Sequence, residues 1–320
     1  MVPKDRLATA VRAAPLGPAA RTEPLRAEGL LPADLLLVAY LATTGVLAAG
    51  SLSQTGMLLA AAHLGAIALV LWIGRMPAPR RRALLFVRLL YPVLVTPALY
   101  TELATLNQLA VPGYFDVAVQ GWEAAIFGSQ LSMVASDWYG SLWFSEMLHF
   151  GYVSYYLLVP AAGVWAATAS GPRGLERFAF SVALAFFICY ACFAVFPVAG
   201  PRYEFVRIQG PLTEGPVFEL VHRILESGSS KGTAFPSSHI AATLAAWLAA
   251  GRESRRAFVV LAPLATALTL GTVYGRFHYG IDAVVGIAVA VVAYRSTPWL
   301  MDRLRIRAGN PDPAPVYPSS

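Results

Sequence analysis

Two stretches of this 320-residue sequence combine residue types that can act together in nucleophilic and acid–base chemistry. In YGRFHYGID (274–282), His278 and Asp282 are four positions apart, so they share one face if a helix begins there. A carboxylate bonded to one imidazole nitrogen fixes the tautomer and leaves the other nitrogen free as a nucleophile or base. In KGTAFPSSH (231–239), His239 stands just before an apolar run and offers a second imidazole for proton transfer.

The same stretches, together with PVAGPRYEF (197–205), contain groups that bind anions. Pro236 suits the first turn of a helix, so the free N–H groups near Ser237 and Ser238 would form an anion site. Three cationic side chains add the positive charge that a phosphate group requires: Arg202, Lys231 and Arg276. These groups together predict phosphoryl transfer, in which one histidine attacks phosphorus and the other protonates the departing oxygen.

Taken singly, each of these residues also has a purely structural explanation. A histidine at the outer end of a helix is usually just solvated, and Arg202 and Lys231 can face lipid headgroups. His149, within SEMLHFGYVSYY, can equally be a packed polar residue bonded to Glu146 or to a backbone carbonyl. No acidic cluster accompanies the histidines at metal-ligand spacing, so no metal site is predicted. It is the combination of three stretches that favours a functional site.

The elements that must position these residues are membrane helices. Hydrophobic residues make up 57% of the chain and charged residues only 13%, against about a quarter in soluble domains. The net charge of +6 comes largely from short basic clusters between apolar runs, which is typical of membrane topology and not of nucleic-acid binding.

Eight apolar stretches predict membrane-spanning helices, each of which needs about 20 residues. They lie at 34–50, 57–74, 83–107, 142–167, 178–197, 237–251, 257–274 and 280–299. The third contains Arg88, Pro92, Pro97 and Glu102, which a spanning helix tolerates when neighbouring helices cover them.

The basic residues indicate that this third stretch spans the membrane. Arginines cluster in three loops, 75–82, 173–177 and 252–256, and eight helices put all three loops and both termini on the cytoplasmic side. The connection 108–141 contains no Lys or Arg, falls outside and is predicted to hold an interfacial helix. The loop 198–236 falls outside although it is basic, so its cations need another explanation. The three polar stretches then meet at one outer membrane boundary.

The sequence therefore predicts an all-α fold, a polytopic membrane bundle of about eight transmembrane helices with a six-helix catalytic core. Residues 1–33 are predicted to be a disordered cytoplasmic tail, and residues 301–320 a second cytoplasmic tail. The N-terminal helices occupy 34–107, and the catalytic membrane domain occupies 108–300.

Two short motifs resemble those of the type 2 phosphatidic acid phosphatase superfamily of membrane phosphatases and phosphotransferases. PSSH (236–239) is similar to its P-S-G-H motif, and HYGID (278–282) matches its H-x3-D. The resemblance implies that His278 forms a phosphohistidine, that Asp282 orients it, and that His239 is the acid. It also implies phosphate contacts from Ser237, from the Ser238 backbone and from a first-motif arginine, with Arg202 as the best match, and neither metal nor cofactor.

Departures from the family pattern point to one branch of it. Thr272 stands where the third-motif arginine is expected, with Arg276 as a possible replacement, and Val195 and Tyr203 stand where the first motif has lysine and proline. With the stretch from 116 to 160, these changes resemble the inositol phosphorylceramide synthase-like branch and its bacterial members. That resemblance, which covers about residues 110–299, implies a bacterial inner membrane protein with a periplasmic site, a phospholipid donor, and a lipid or water acceptor.

Two other functions remain open from the sequence. A transporter would line a path with intramembrane polar groups, but such proteins gather them near the midplane and here they gather at one edge. A catalytically inactive lipid-binding relative is disfavoured because His239, His278 and Asp282 are all present. Hydrolase and transferase would use the same residues, so the sequence does not separate them.

Overall fold

The computed structural model describes residues 29–138 and 140–307. Within them the helices are α1 (Pro32–Gly50), α2 (Gln54–Ile73), α3 (Arg82–Leu94), α4 (Thr96–Ala110), α5 (Asp116–Phe127), α6 (Leu131–Trp138), α7 (Leu142–Val153), α8 (Tyr155–Val195), α9 (Pro201–Glu204), α10 (Pro216–Gly228), α11 (Ser238–Glu253), α12 (Arg255–Tyr274) and α13 (Gly280–Arg307). The predicted all-α class is confirmed. The two predicted tails lie outside the described residues, except for 29–33 and for 301–307, which continue α13.

Six helical spans in the described residues are long and apolar enough to cross a membrane. They are Pro32–Gly50, Gln54–Ile73, Arg82–Ala110, Tyr155–Val195, Arg255–Tyr274 and Gly280–Arg307. The sequence predicted eight, and the difference has two causes. The span at Tyr155–Val195 contains two of the predicted helices, and α11, with 16 residues, is shorter than the usual crossing length.

α8 is a helical hairpin, because the chain turns back on itself in its middle. Ser170 and Gly171 leave the helical conformation, and Gly171 has a φ of +59°. The Phe178 ring lies 3.0 Å from where a Cβ of Gly163 would be, although a straight helix would separate these residues by about 22 Å. The two arms of α8 therefore pack side by side. The second arm corresponds to the predicted stretch 178–197, whereas the predicted stretch 142–167 is divided between α7 and the first arm.

The polar residues of the predicted third span have buried partners. Arg88 in α3 binds both carboxylate oxygens of Asp34 in α1, at 2.8 and 2.5 Å, and the Tyr91 hydroxyl donates to the same carboxylate at 2.6 Å. In α4, Glu102 lies 3.1 Å from Nε2 of His63 in α2. These contacts join the first three spans, and they explain how an apolar helix accommodates an arginine and a glutamate.

α11 lies at the centre of the bundle, between α8, α12 and α13. Its buried face consists mainly of small residues, which allow the helix backbones to approach closely: Ala241, Ala242, Ala245, Ala246, Ala249 and Ala250. At the N-terminal end of α11, a Cβ on Gly286 of α13 would come 2.8 Å from the carbonyl oxygen of Ser237. The histidine at the start of α11 is thus held by a closely packed helix.

α7 and α12 touch backbone to backbone at two glycines. A Cβ on Gly151 would lie 2.6 Å from the carbonyl carbon and oxygen of Ala267, and a Cβ on Gly271 would lie 2.2 Å from the carbonyl oxygen of Leu148. Real side chains do not fit at such distances, so both positions require glycine. This contact fixes the C-terminal half of α12, after which the 275–279 loop begins.

Replacing Asp34 by alanine should destabilise the protein by about 3–5 kcal/mol, because the Arg88 guanidinium would remain buried without its main partner. The matched variant replaces Asp34 by leucine and Arg88 by methionine together, which removes both charges and should recover most of the stability. Thermal unfolding in detergent measures both. A double variant as unstable as the single one would show that the ion pair is not the cause.

Candidate active site

Backbone hydrogen bonds tie the three polar stretches to one another. The Val198 N–H donates to the Gly232 carbonyl at 3.3 Å, and the Ala234 N–H donates back to the Val198 carbonyl at 2.9 Å. The Ser237 N–H then donates to the Asp282 carbonyl at 3.1 Å. Stretches that lie up to 85 positions apart in the chain therefore meet at one place, as the sequence analysis expected.

The imidazole of His278 is held in one tautomer by a backbone carbonyl. Its Nδ1 lies 2.8 Å from the Ala234 carbonyl oxygen, and because a carbonyl only accepts, Nδ1 bears the hydrogen. Nε2 therefore keeps a free lone pair. The side chain is only 5% exposed, and this burial lowers the pKa of His278 to about 4, so the imidazole is neutral at pH 7.

Asp282 lies beside His278, but it is the more distant of the two acceptors around Nδ1. Its Oδ2 is 3.4 Å from Nδ1 and accepts the Tyr279 N–H at 2.9 Å. The predicted i,i+4 arrangement is thus present, while the shorter hydrogen bond comes from Ala234. Sequence alone offered no sign of that carbonyl, because any residue type can supply one.

His239 faces His278 across a small space. The two ring centroids are 6.1 Å apart, and the His239 ring packs against Tyr152 and Tyr155 at 5.2 and 5.0 Å. Neither ring nitrogen of His239 has a hydrogen-bond partner among the described residues. His239 occupies the first turn of α11, where unpaired backbone N–H groups favour an anion.

The serines before His239 have different positions. Ser237 is fully buried and caps α11, because its hydroxyl oxygen accepts the Ile240 N–H at 3.4 Å. Ser238 is 3% exposed and lines a second, larger cavity on the other side of His239. The structure therefore places the Ser237 hydroxyl in the cap of the helix.

The two histidines line a cavity of about 50 Å³ together with Arg202. Arg202 is the one Lys or Arg among the described residues that lines it, and its buried Nη1 has no hydrogen-bond partner in that part of the chain. The remaining walls come from aromatic and small residues, including Tyr100, Tyr152, Ala199, Thr233 and Phe277. An unpaired guanidinium beside two imidazoles is suited to binding an anion.

Arg276 and Lys231 do not line this cavity. Arg276, with φ of +58°, donates from its guanidinium to the Val206 carbonyl at 2.8 Å and to the Ser136 hydroxyl at 3.0 Å. The Lys231 ammonium lies 4.5 Å from the centre of the Tyr114 ring. Both cations thus have structural contacts that the spacing of the sequence could not reveal.

Thr272 occupies the position of the family's third-motif arginine and serves the backbone. Its hydroxyl donates to the Leu268 carbonyl at 2.6 Å within α12. Its carbonyl oxygen accepts the N–H groups of both Phe277 and His278 at 3.2 Å. Arg276 does not replace the missing arginine, because its guanidinium contacts a different segment.

Asp116, which the sequence analysis did not select, holds two of the three stretches. Its buried carboxylate accepts the N–H groups of Ala199 and Gly200 at 2.8 Å each and the Tyr279 hydroxyl at 2.9 Å. Gly200 has a φ of +95°, and a Cβ there would lie 2.9 Å from the Ala234 Cβ, so glycine is required. Asp116 thereby positions the backbone on both sides of the cavity.

Glu123, about two turns further on in α5, holds the start of α13. It is fully buried, and its two oxygens accept the N–H groups of Leu131 at 2.8 Å and Ile281 at 3.1 Å. The sequence did contain a signal for both carboxylates. They lie in a segment without Lys or Arg, so a buried acid there has to be satisfied by backbone or hydroxyl groups.

His149 and Glu146 have structural contacts outside the cavity. Nδ1 of His149 lies 2.7 Å from the Ser145 carbonyl, one of the two partners that the sequence left open. Glu146 instead accepts the N–H groups of Val217 and Phe218 at 2.9 and 2.8 Å, at the start of α10. Glu146 therefore attaches the start of α10 to α7.

Comparison with known proteins identifies a family and one distant relative. A family model described as the PAP2 superfamily matches residues 118–296. A PA-phosphatase related-family protein of Dictyostelium discoideum is 23% identical over 203 residues, which are 55% of this chain and 37% of that relative. The chain therefore spans little more than a third of the length of this relative. No solved structure matches the chain.

The chain belongs to the PAP2 superfamily, the type 2 phosphatidic acid phosphatase group that its motifs resemble. Membership and the apolar helices together indicate an integral membrane protein.

Replacing Asp116 by alanine should reduce turnover and stability together. The Ala199 and Gly200 N–H groups would lose their acceptor, and each unsatisfied buried group costs about 1–3 kcal/mol. Tyr279→Phe is the matched control, because it removes one of the three hydrogen bonds and leaves both N–H groups paired. Release of label from a headgroup-labelled phospholipid and thermal unfolding measure the two effects. Wild-type turnover in Asp116→Ala would contradict a positioning role.

Proposed function

We propose that this protein is a membrane lipid phosphotransferase that moves a phosphorylated headgroup from a phospholipid donor to a lipid acceptor through a phosphohistidine. The observation that supports this most is the pair of facing imidazoles, His278 with a free Nε2 and His239 with no partner, at one cavity with Arg202. A nucleophile, a proton donor and a cation around one space are the groups that phosphoryl transfer through a histidine needs.

The charge of the cavity favours a phosphodiester as the donor. Arg202 is the one cationic side chain lining it in the described residues, and a phosphodiester bears one negative charge where a monoester bears up to two. A second arginine at position 272 would suit a dianion, but that residue is threonine and Arg276 is engaged elsewhere. Diester donors, phosphoinositol lipids among them, are what the inositol phosphorylceramide synthase-like resemblance implies.

The reaction then has two steps. Nε2 of His278 attacks phosphorus, the N–P bond forms as the bond from phosphorus to the lipid oxygen breaks, and protonated His239 gives its proton to that oxygen. In the second step His239 takes a proton from the acceptor hydroxyl, whose oxygen attacks phosphorus as the N–P bond breaks. The amide groups at the start of α11 and Arg202 stabilise the charge on the phosphoryl oxygens, and no metal or cofactor takes part.

The two histidines should differ when they are replaced. His278→Ala should abolish turnover and any covalent intermediate, because the nucleophile is lost. His239→Ala should lower turnover by about 10²–10⁴-fold with lipid donors, since a lipid alkoxide leaves poorly without a proton. A nitrophenyl phosphodiester, whose leaving group needs no acid, should recover part of the His239→Ala defect and none of the His278→Ala defect. Asp282→Asn should retain more activity than His278→Ala.

The measurement uses a panel of headgroup-labelled phospholipids, with and without lipid acceptors, in the presence of EDTA. Labelled lipid product identifies a transferase, whereas soluble labelled headgroup identifies the alternative, a hydrolase that uses water. Acid-quenched protein is then mapped for phosphohistidine. A phosphorylated residue 239 would reverse the two roles, and an active enzyme without any intermediate would favour direct attack by the acceptor. Loss of activity in EDTA, restored by a divalent ion, would contradict the metal-free mechanism.

We further propose that the active site faces outwards, towards the periplasm of a bacterium, and that both termini are cytoplasmic. The arginine clusters at 75–82, 173–177 and 252–256 support this orientation. A single cysteine at Ser254, in a background without Cys189 and Cys192, should resist an impermeant thiol reagent in intact cells and react after lysis. A cysteine at Thr213 should react in both. Labelling of position 254 in intact cells would reverse the orientation.

A further inference from the structure

A second cavity, of about 290 Å³, opens beside His239 on the side away from Arg202. It lies between the membrane helices α4, α8 and α11, with α10 above it. It shares four lining residues with the smaller cavity that contains both histidines, namely Tyr100, Leu225, Ser229 and His239. The two spaces are therefore adjacent, and His239 belongs to the wall of both.

The walls of this larger cavity are mainly aromatic and apolar, with Tyr155, Tyr190 and Phe186 from the two arms of α8. The hydroxyls of two lining tyrosines are used by the protein itself. Tyr190 donates to the Thr96 carbonyl at 3.2 Å, and Tyr100 lies 2.9 Å from the Thr233 hydroxyl. These residues consequently present ring faces to an occupant, which suits a hydrocarbon chain.

The polar end of the cavity is His239. Its two ring nitrogens have no hydrogen-bond partner in the described part of the chain, and its ring is fixed between tyrosines. A hydroxyl group can both donate to and accept from an imidazole, so it is the complementary group at this place. A long apolar wall that ends at an unpaired imidazole fits an alcohol with a hydrocarbon tail.

One wall comes from outside the family match. α4 lies before residue 118, where the match begins, yet it contributes Thr96, Pro97, Tyr100 and Thr101. Two residues of α4 attach it to the segment that leads to PSSH. The Tyr100 hydroxyl contacts the Thr233 hydroxyl, and the Asn107 amide donates to the Lys231 carbonyl at 3.1 Å. The N-terminal helices thus complete a cavity that the matched region by itself would leave open on one side.

We propose that this cavity binds the hydrocarbon chain of a lipid alcohol with its hydroxyl at His239, and that the departing and the accepting alcohol occupy it in turn. The inference rests on the proposed function, in which His239 protonates one alcohol oxygen and deprotonates the other. The donor lipid loses its alcohol into the cavity when the N–P bond forms. The acceptor enters the same cavity, gives its hydroxyl proton to His239 and takes the phosphoryl group as the N–P bond breaks.

The test fills the cavity from the α4 side. Thr101→Trp places a large ring beside Pro97, since helical side chains cover the preceding turn. The phosphohistidine is loaded from a nitrophenyl phosphodiester, which needs neither the acid nor a lipid alcohol. Its formation should be unchanged, transfer to dodecanol should fall by about tenfold or more, and transfer to ethanol should stay near the wild-type rate. Thr43→Trp, an exposed threonine on α1, is the matched control and should behave like the wild type.

A second variant fills the same cavity from α10 and can be used if Thr101→Trp does not fold. Gly228 also lines the cavity, and a Cβ there meets nothing within 4 Å, so Gly228→Leu enters open space. Its control is Gly65→Leu on α2, where a Cβ likewise meets nothing within 4 Å. Unchanged transfer to dodecanol in both cavity variants would overturn the proposal.

Direct binding separates this proposal from the proposed function. A long-chain alcohol with a diazirine in its tail should label α4 and α8 of the wild-type protein, and dodecanol or Thr101→Trp should reduce that labelling. If the wild-type protein forms no phosphohistidine but is labelled there, the proposed function fails and the cavity stands. If the intermediate forms but labelling is absent from α4 and α8, the proposed function stands and the cavity proposal fails.

Discussion

The end of the bundle that holds both candidate histidines depends on one buried carboxylate. Asp116 is 3% exposed, and a carboxylate in such a place is tolerated only if its oxygens are hydrogen-bonded. Two backbone N–H groups and a tyrosine hydroxyl meet that requirement, and they come from loops that follow different helices. The loop that bears Arg202 and the loop that bears His278 are therefore held to each other through a residue that belongs to neither.

Sequence reasoning located the helices and the residues that line the candidate site because both depend on local patterns. Apolar length identified the spans, and the two arms of α8 overlap the predicted stretches 142–167 and 178–197, the first of which also contains α7. His239, His278 and Arg202 were selected by residue type and neighbourhood, and the structure brings these three to one cavity. The i,i+4 spacing of His278 and Asp282 likewise placed the two side chains close together.

The remaining features depend on contacts between distant segments. The carbonyl of Ala234 that fixes the His278 tautomer has no sequence signature, and the guanidinium of Arg276 is directed by a left-handed backbone conformation towards Ser136 and Val206. Lys231 was grouped with the other cations by proximity in sequence, but its ammonium lies over aromatic rings. Asp116 and Glu123 were visible as acids without basic neighbours, yet only the fold reveals which N–H groups they bind.

The backbone contact between α7 and α12 has a mechanical consequence. Where Gly151 and Gly271 bring the two helices together, no layer of side chains separates them, so neither helix can slide or roll without a clash of main-chain atoms. The two helices therefore act as one rigid unit, and Glu146 in α7 also attaches the start of α10 to that unit.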